Sequence, residues 1–243
     1  MITIDFNLLS IKPGDRILDL GCGTGRHTCE VFRFKEVVAI GVDINADDVF
    51  EAKNRLKEQQ ELKGFNGSKW GVSAADIFKL PFKDDCFDLV ICSEVIEHII
   101  DHKNAVAEAV RVLKPDKNIV VSVPSYFPER VCWALSEEYR KTDNGHVRIY
   151  KKKALIDLLE SAGVKRWKVH SAHGLHTPYW WLKCLVGPSR EDNRLVNKYH
   201  ELLVWDMMKH PRLTRLLDYL LNPIIGKSTV VYLRKEKACR SEA

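Results

Sequence analysis

The 243-residue sequence predicts an α/β protein built on a doubly wound, mostly parallel sheet. Three observations carry this. Short β-type runs alternate with longer helical stretches through residues 1–123. The runs are continuously apolar, as strands buried on both faces must be. The spacings between them leave room for little except right-handed crossovers.

The elements follow in order. The turn Pro13-Gly14-Asp15 introduces a first strand, Arg16–Leu20, and Val37–Val42 is the second. Asn45 offers a cap to a helix over Asp47–Leu62. Ser68–Val72 is a weaker third strand, placed by its position between helix and loop. Phe87–Cys92, a helix over Asn104–Leu113 and the strand Ile119–Val123, ended by Pro124, complete the regular half. Residues 124–150 form a polar segment with scattered aromatics, ending in Asn144-Gly145-His146-Val147-Arg148-Ile149-Tyr150. A helix over Lys151–Ala162 stops at Gly163, and strands follow at Val164–Ser171 and Ser228–Leu233. About 55 residues separate those last two strands, against a usual connection of ~4–6. Helical patterning over Arg194–Lys209 and Arg212–Leu221 marks that stretch as an inserted helical subdomain, a natural lid or binding element. We expect one domain over 1–243: a first half at 1–123, a substrate-side segment at 124–171, the insertion at 172–227, and a last strand and tail at 228–243.

Composition narrows the class. A net charge of +5 is too small to argue for a nucleic-acid groove, and solvated lysines on helix faces account for it. Residues 1–7 carry Asp5 and lack the basic-then-apolar order of a signal peptide, and no apolar run approaches the ~20 residues needed to span a bilayer. The seven cysteines are scattered and none forms Cys-x-x-Cys, so no zinc site or disulfide framework is expected. These features predict a reduced, cytoplasmic enzyme.

The sharpest motif is Asp19-Leu20-Gly21-Cys22-Gly23-Thr24-Gly25, directly after the first strand. Glycines there let the backbone turn tightly and approach a ligand. A dinucleotide fingerprint would need a small residue at position 26, where Arg26 stands. Asp19 suits a ligand presenting an amine or sulfonium better than a pyrophosphate. Asp43, 18 residues beyond Gly25, ends the second strand and could accept hydrogen bonds from ribose hydroxyls, with Ile44 beside it. Asp76 follows the third strand, where it could read an adenine edge capped by Ile77, or serve as a local N-cap. Ser93-Glu94-Val95-Ile96-Glu97-His98 follows the fourth, facing the same crevice or simply opening a helix. Ligands gather at the carboxyl ends of such strands.

Residues 13–123 resemble the class I S-adenosylmethionine-dependent methyltransferases, in particular the ubiquinone/menaquinone biosynthesis (type 11) branch. The resemblance rests on Ile17–Gly25, Gly41-Val42-Asp43, Ala75-Asp76 with Leu80-Pro81-Phe82, Phe87-Asp88, Glu97-His98 and Leu113-Lys114-Pro115. It implies a Rossmann-like sheet of seven strands, the last antiparallel, and S-adenosylmethionine as cofactor. Asp19, Gly21, Cys22, Gly23, Gly25, Asp43, Ile44, Asp76, Ile77 and Ser93 would line the cofactor site.

The acceptor side is less legible, because an activated methyl needs alignment and dryness more than dedicated catalytic groups. We expect His146 as a general base, Arg148 as an anion clamp and His98 as a further catalytic candidate. Backbone hydrogen bonding is the competing use of both His146 and Arg148. Tyr150, His173, His176, Tyr179 and Trp181 are the candidate acceptor contacts. His173-Gly174-Leu175-His176 lacks the glutamate and helical spacing of a zinc pair, so no metal is expected. The aromatic stretch from Thr177 to Val186 reads as the insertion's core, as the wall of a greasy pocket, or as a peripheral membrane contact. The leading reading is O- or C-methylation of a small, hydrophobic or aromatic, or lipid-like acceptor. RNA or protein methylation, or a cofactor-binding scaffold without turnover, are the alternatives.

Overall fold

The computed structural model describes residues 2–63, 66–141, 145–209 and 211–237. Asn144, named above, and one of the seven cysteines, Cys239, lie outside them. Strands β1 (Arg16–Leu20), β2 (Val38–Asp43), β3 (Lys69–Ala74), β4 (Phe87–Ser93), β5 (Leu113–Pro124), β6 (Val164–Ala172) and β7 (Ser228–Lys235) form one sheet in the order β3-β2-β1-β4-β5-β7-β6. The chain order reverses between β1 and β4, which makes that crevice the topological switch point. Strand β7 runs antiparallel to both β5 and β6. The expected seven-stranded, doubly wound sheet is thus the observed one.

Its two faces are covered separately. On one face Leu18, Val90, Val121 and Val231 pack under α3 (His102–Val112) and α6 (Lys152–Glu160), through Val106, Leu155 and Leu159. On the other, Ile17, Ala39, Ile91, Val120 and Tyr232 meet Val31 of α1 (Arg26–Val31) and Leu56 of α2 (Ala46–Lys63). Neighbouring residues of each strand point to opposite faces, so continuous apolar runs satisfy both cores at once.

Two segments differ from the sequence expectation. Residues 124–150 hold two helices, α4 (Tyr126–Leu135) and α5 (Glu137–Arg140), and the aromatic stretch of the insertion is itself a helix, α7 (His176–Val186). Both helical runs are rich in aromatic residues that read equally well as strand or loop formers, and only their packing against each other decides. Trp181 donates its indole N–H to the Pro128 carbonyl at 3.1 Å and meets Phe127 edge-on. Helices α8 (Arg194–Lys209) and α9 (Arg212–Ile225) complete the insertion. Thr177 donates to the Ile225 carbonyl at 2.6 Å, and Leu175 N–H to Asp218 at 3.0 Å, so α7 and α9 are tied at their bases. Ala172 pairs with Ser228, so the insertion leaves and re-enters the sheet at the same carboxyl edge that carries β1–β4 ends. Among the described residues, no helix is long and apolar enough to cross a membrane.

The β1–α1 turn hangs on Asp19. Its carboxylate, 2% exposed, accepts from the Thr28 backbone N–H at 2.8 Å and the Thr28 hydroxyl at 2.7 Å, fixing α1 against the strand end. Burial pushes the carboxyl up from its ordinary 3.8 to about 6, against the pull of those two hydrogen bonds. A carboxyl that holds its proton more tightly when folded loses stability as pH rises between those two values. We therefore expect Asp19→Asn to gain on the order of 3 kcal/mol relative to the parent protein between pH 3.5 and 7.5. Urea unfolding of both proteins at the two pH values measures this, and a pH-independent difference would refute it.

Candidate active site

Strand register brings the predicted cofactor residues to one level. Leu20 lies between Val42 and Cys92, and Asp43 faces Ala74, so Gly21, Asp43, Ala74 and Ser93 emerge side by side along the carboxyl edge. Gly21 has φ +70°, and a Cβ there would stand 2.4 Å from Val95 Cγ2. The loop can therefore press onto the β4 turn only with glycine at that position. A Cβ at Gly23 would meet nothing within 4 Å, so this glycine's bare backbone faces open space on the crevice side. Asp43 accepts from Gly23 N–H at 2.8 Å and from Asn45 N–H at 2.9 Å. It thus shapes the loop as well as ending the strand. Ile44 beside it is 80% exposed, an apolar side chain left on the surface at the rim. Cys22 is buried beneath the loop, where burial raises its thiol far above the usual range. Asp76 is exposed and accepts from Phe78 N–H at 2.9 Å, its local cap role, while Ile77 turns partly into the core. Ser93 is buried and shares a 2.8 Å hydrogen bond with Ser122.

These features fit S-adenosylmethionine. Backbone at Gly21, Gly23 and Gly25 can approach it, Asp43 can take its ribose hydroxyls, and Ile44, Asp76 and Ile77 offer an apolar and a polar edge for adenine.

Beyond Ser93 the chain turns through Glu94, whose φ of +58° is unusual for a residue with a side chain. The turn is held from both sides: Glu94 N–H donates to the Ser122 carbonyl at 2.9 Å, and the Ser122 hydroxyl to the Glu94 carboxylate at 2.8 Å. It delivers Glu97 and His98 next to the 145–150 segment. Val147 N–H donates to the Glu97 carbonyl at 3.0 Å, and the His98 and His146 rings stand 4.9 Å apart.

Three residues that sequence reasoning passed over complete the cluster. Glu129 on α4 is fully buried. Its carboxylate accepts from His146 Nδ1 at 2.6 Å, from Lys227 Nζ at 2.8 Å and from the Tyr139 hydroxyl at 3.4 Å. Burial would raise its pKa, but the His146 hydrogen bond and the Lys227 charge outweigh it and hold the carboxyl at about 2. Glu97 is 1% exposed, and burial, reinforced by the charge of Glu94, raises it well above the ordinary carboxyl range. One signal was available in the sequence: Glu129 is a lone acid in Tyr126–Leu135, a run otherwise mostly apolar, and such an acid needs a partner when that run is buried.

The other predicted acceptor-side residues part company. Arg148 is corrected: its guanidinium donates to the carbonyls of Ile96, Ile99 and Ile100, so it bolts the 145–150 segment to the β4 turn instead of facing an anion. Tyr150 is corrected as well, being a core residue 7% exposed whose hydroxyl engages His102 and the Ile96 carbonyl. His173 is held at Thr3, 3.4 Å away, and burial lowers its imidazole to about 3. His176 starts α7 with its Nδ1 buried and without a hydrogen-bond partner among the described residues. Tyr179 packs within the insertion against Trp180, Tyr199 and His200. Trp181 is spent on α4, as described above. The aromatic neighbours of the buried cluster are Tyr139 and Trp180, both over Lys227.

Residues 11–165 match the family model of the methyltransferase domain. The chain is similar to cycloartenol-C-24-methyltransferase 1 of Oryza sativa subsp. japonica, 31% identical over 58% of this chain and 37% of the relative. It is also 31% identical to norajmaline N-methyltransferase of Rauvolfia serpentina, over 70% of this chain and 56% of the relative. The chain thus spans about a third to little more than half of these curated relatives. A crystal structure of a SAM-dependent methyltransferase from Methanosarcina mazei shares the fold, with a TM-score of 0.64 at 14% identity, covering 98% of this chain and 100% of that one. With the family model covering residues 11–165, well over half of the chain, the chain belongs to the methyltransferase domain family, within the class I S-adenosylmethionine-dependent methyltransferases.

Proposed function

We propose that this chain transfers a methyl group from S-adenosylmethionine to a hydroxyl or acidified carbon of a small hydrophobic or aromatic acceptor. The observation that carries the reading is the His146–Glu129–Lys227 cluster. It lies at the sheet's carboxyl edge, beside the β4 turn and under the aromatic side chains of Tyr139 and Trp180. Sterol and alkaloid methylation by the relatives above, and the resemblance of residues 13–123 to the quinone-biosynthesis branch, point to the same acceptor class.

S-adenosylmethionine supplies the methyl already activated on a sulfonium. The chain's task is to align the acceptor, exclude water and dispose of one proton. Glu129 holds His146 by Nδ1, which fixes the ring and leaves Nε2 as the nitrogen for the acceptor. His146 is accordingly the residue on which activation of the acceptor hydroxyl depends. The insertion, anchored at the same edge through Ala172 and Ser228, closes the acceptor side. Its outer surface supports a lipid-like acceptor. Helix α9 exposes Leu213, Leu216, Leu217, Leu220 and Ile224 at helical spacing, with Arg212 near its start, a pattern suited to lying in a lipid interface.

Two measurements test this reading. Calorimetric titration with S-adenosylmethionine should show binding that Asp43→Ala weakens, while His146→Ala keeps the affinity and lowers methyl transfer to phenolic or hydroquinone acceptors by about 10²–10⁴-fold. Unchanged turnover in His146→Ala would remove that residue from the chemistry. For the surface, sedimentation with vesicles containing anionic lipid should capture the parent protein, and Leu216→Glu with Leu220→Glu should abolish the capture. Equal capture of parent and variant would exclude α9 as the contact.

A further inference from the structure

Glu97, His98 and His146 are unusual among the described residues in one respect. One ligand atom from each lies within 4.8 Å of the other two. The sequence expectation of no metal rests on the scattered cysteines and on the His173-Gly174-Leu175-His176 pair, and does not weigh Glu97-His98 together with His146, which lies 48 residues further on. The fold supplies the spacing that the chain lacks.

Two further observations point to a ligand here. Both carboxylate oxygens of Glu97 are buried and have no hydrogen-bond partner among the described residues. A buried carboxylate left in that condition is costly, and a cation is one of the few groups that satisfies both oxygens at once. Meanwhile each imidazole is oriented through Nδ1: that of His146 on the Glu129 carboxylate at 2.6 Å, that of His98 against the Gly145 carbonyl at 3.3 Å. His98 Nε2 stands 3.9 Å from the Glu97 carboxylate. A carboxylate or carbonyl on the far nitrogen is the arrangement that fixes tautomer and direction in metal-ligating histidines.

We propose that Glu97, His98 and His146 bind a divalent first-row transition metal ion, with Glu129 positioning His146 from behind. Two imidazoles and a carboxylate favour zinc, iron or manganese over magnesium, which prefers oxygen ligands and its own waters. Ligand atoms of a tetrahedral site stand about 3.4 Å apart, so the cluster closes by about an ångström, which the side-chain torsions of the exposed His98 allow. Three protein ligands leave a position open to the acceptor. This deepens the functional reading above and rests on it in one respect, the use made of the ion. A hydroxyl oxygen of the acceptor coordinated there would become more acidic and lose its proton to solvent; its lone pair would then form the new bond to the methyl carbon as the methyl–sulfonium bond breaks, the sulfur keeping that bonding pair and leaving as the neutral thioether of S-adenosylhomocysteine. His146 acts in that step as a ligand.

The test uses cobalt(II) and zinc(II) as probes on the purified full chain, freed of metal with a chelator. Cobalt should bind one per chain and develop visible d–d absorption. Glu97→Gln and His146→Ala should each weaken binding by more than 100-fold, and Glu129→Gln by about 10–100-fold. Calorimetric binding of S-adenosylmethionine to each variant reports that the fold and the cofactor half survive. X-ray absorption of the parent protein with one equivalent of zinc requires no variant and should show two imidazoles at about 2.0–2.1 Å. No cobalt binding, binding equal in parent and Glu97→Gln, or a zinc spectrum with fewer than two imidazoles would each overturn the site. Metal binding with methyl transfer unchanged by the chelator would keep the site and remove its catalytic use. Metal binding without any methyl transfer would instead count against the acceptor reading alone.

Discussion

Glu129 sits on α4 with its carboxylate shut away from water, and everything on the acceptor side answers to that fact. An ionised group in that position has to be paired from within the protein, and removing one partner of such a pair costs about 3–5 kcal/mol. Its donors come from three elements: Tyr139 on α5, His146 in the segment just after it and, much later in the chain, Lys227 where the insertion returns to the sheet. Satisfying one carboxylate therefore assembles the wall of the site. It also orients His146 through Nδ1.

The cofactor half is organised on the opposite principle. Its groups are local: each follows its own strand, and parallel pairing lines the strand ends up. Asp19 and Asp43 work on backbone amides within a few residues of the glycine loop or within it. The loop's conformation is then over-determined by Val95 below Gly21 and by Ala52 below Gly25. Such a half can stay constant while the other half is rebuilt around different acceptors.

The insertion shows how that rebuilding is accommodated. Because β7 runs antiparallel between β5 and β6, the segment joining β6 to β7 begins and ends at the carboxyl edge. Fifty or so residues can be added there without crossing the sheet or disturbing either core. The inner surface of α7 is committed to α4 through Trp181, and Trp180 lies over Lys227. The outer surfaces of α8 and α9 keep large apolar side chains exposed, including Trp205, Met208 and Leu213. A helical element with apolar residues on both inner and outer surfaces has a use beyond filling its own core.

How far the sequence could be read depended on the range of the interactions involved. Strand Arg16–Leu20 and helix Arg194–Lys209 were legible to the residue, because apolar runs and helical periodicity are local patterns that burial then enforces. Asp43, Asp76 and Ser93 could be placed at one edge for the same reason, since a parallel sheet necessarily aligns the ends of its strands. The helical state of Tyr126–Leu135 and His176–Val186 was not legible, as each is decided by the other. Arg148 and Tyr150 read as site residues by type and position, yet their partners are Ile96, Ile99, Ile100 and His102, roughly fifty residues earlier in the chain. By itself, then, the sequence determined the sheet, the order of its elements and the cofactor edge, all consequences of short-range pattern. Only the tertiary structure decided which charged and titratable side chains meet, because the pairing of Glu129 with His146 and Lys227 is a requirement of burial that no local spacing expresses, and it is the same folding that brings Glu97 within reach of His98 and His146.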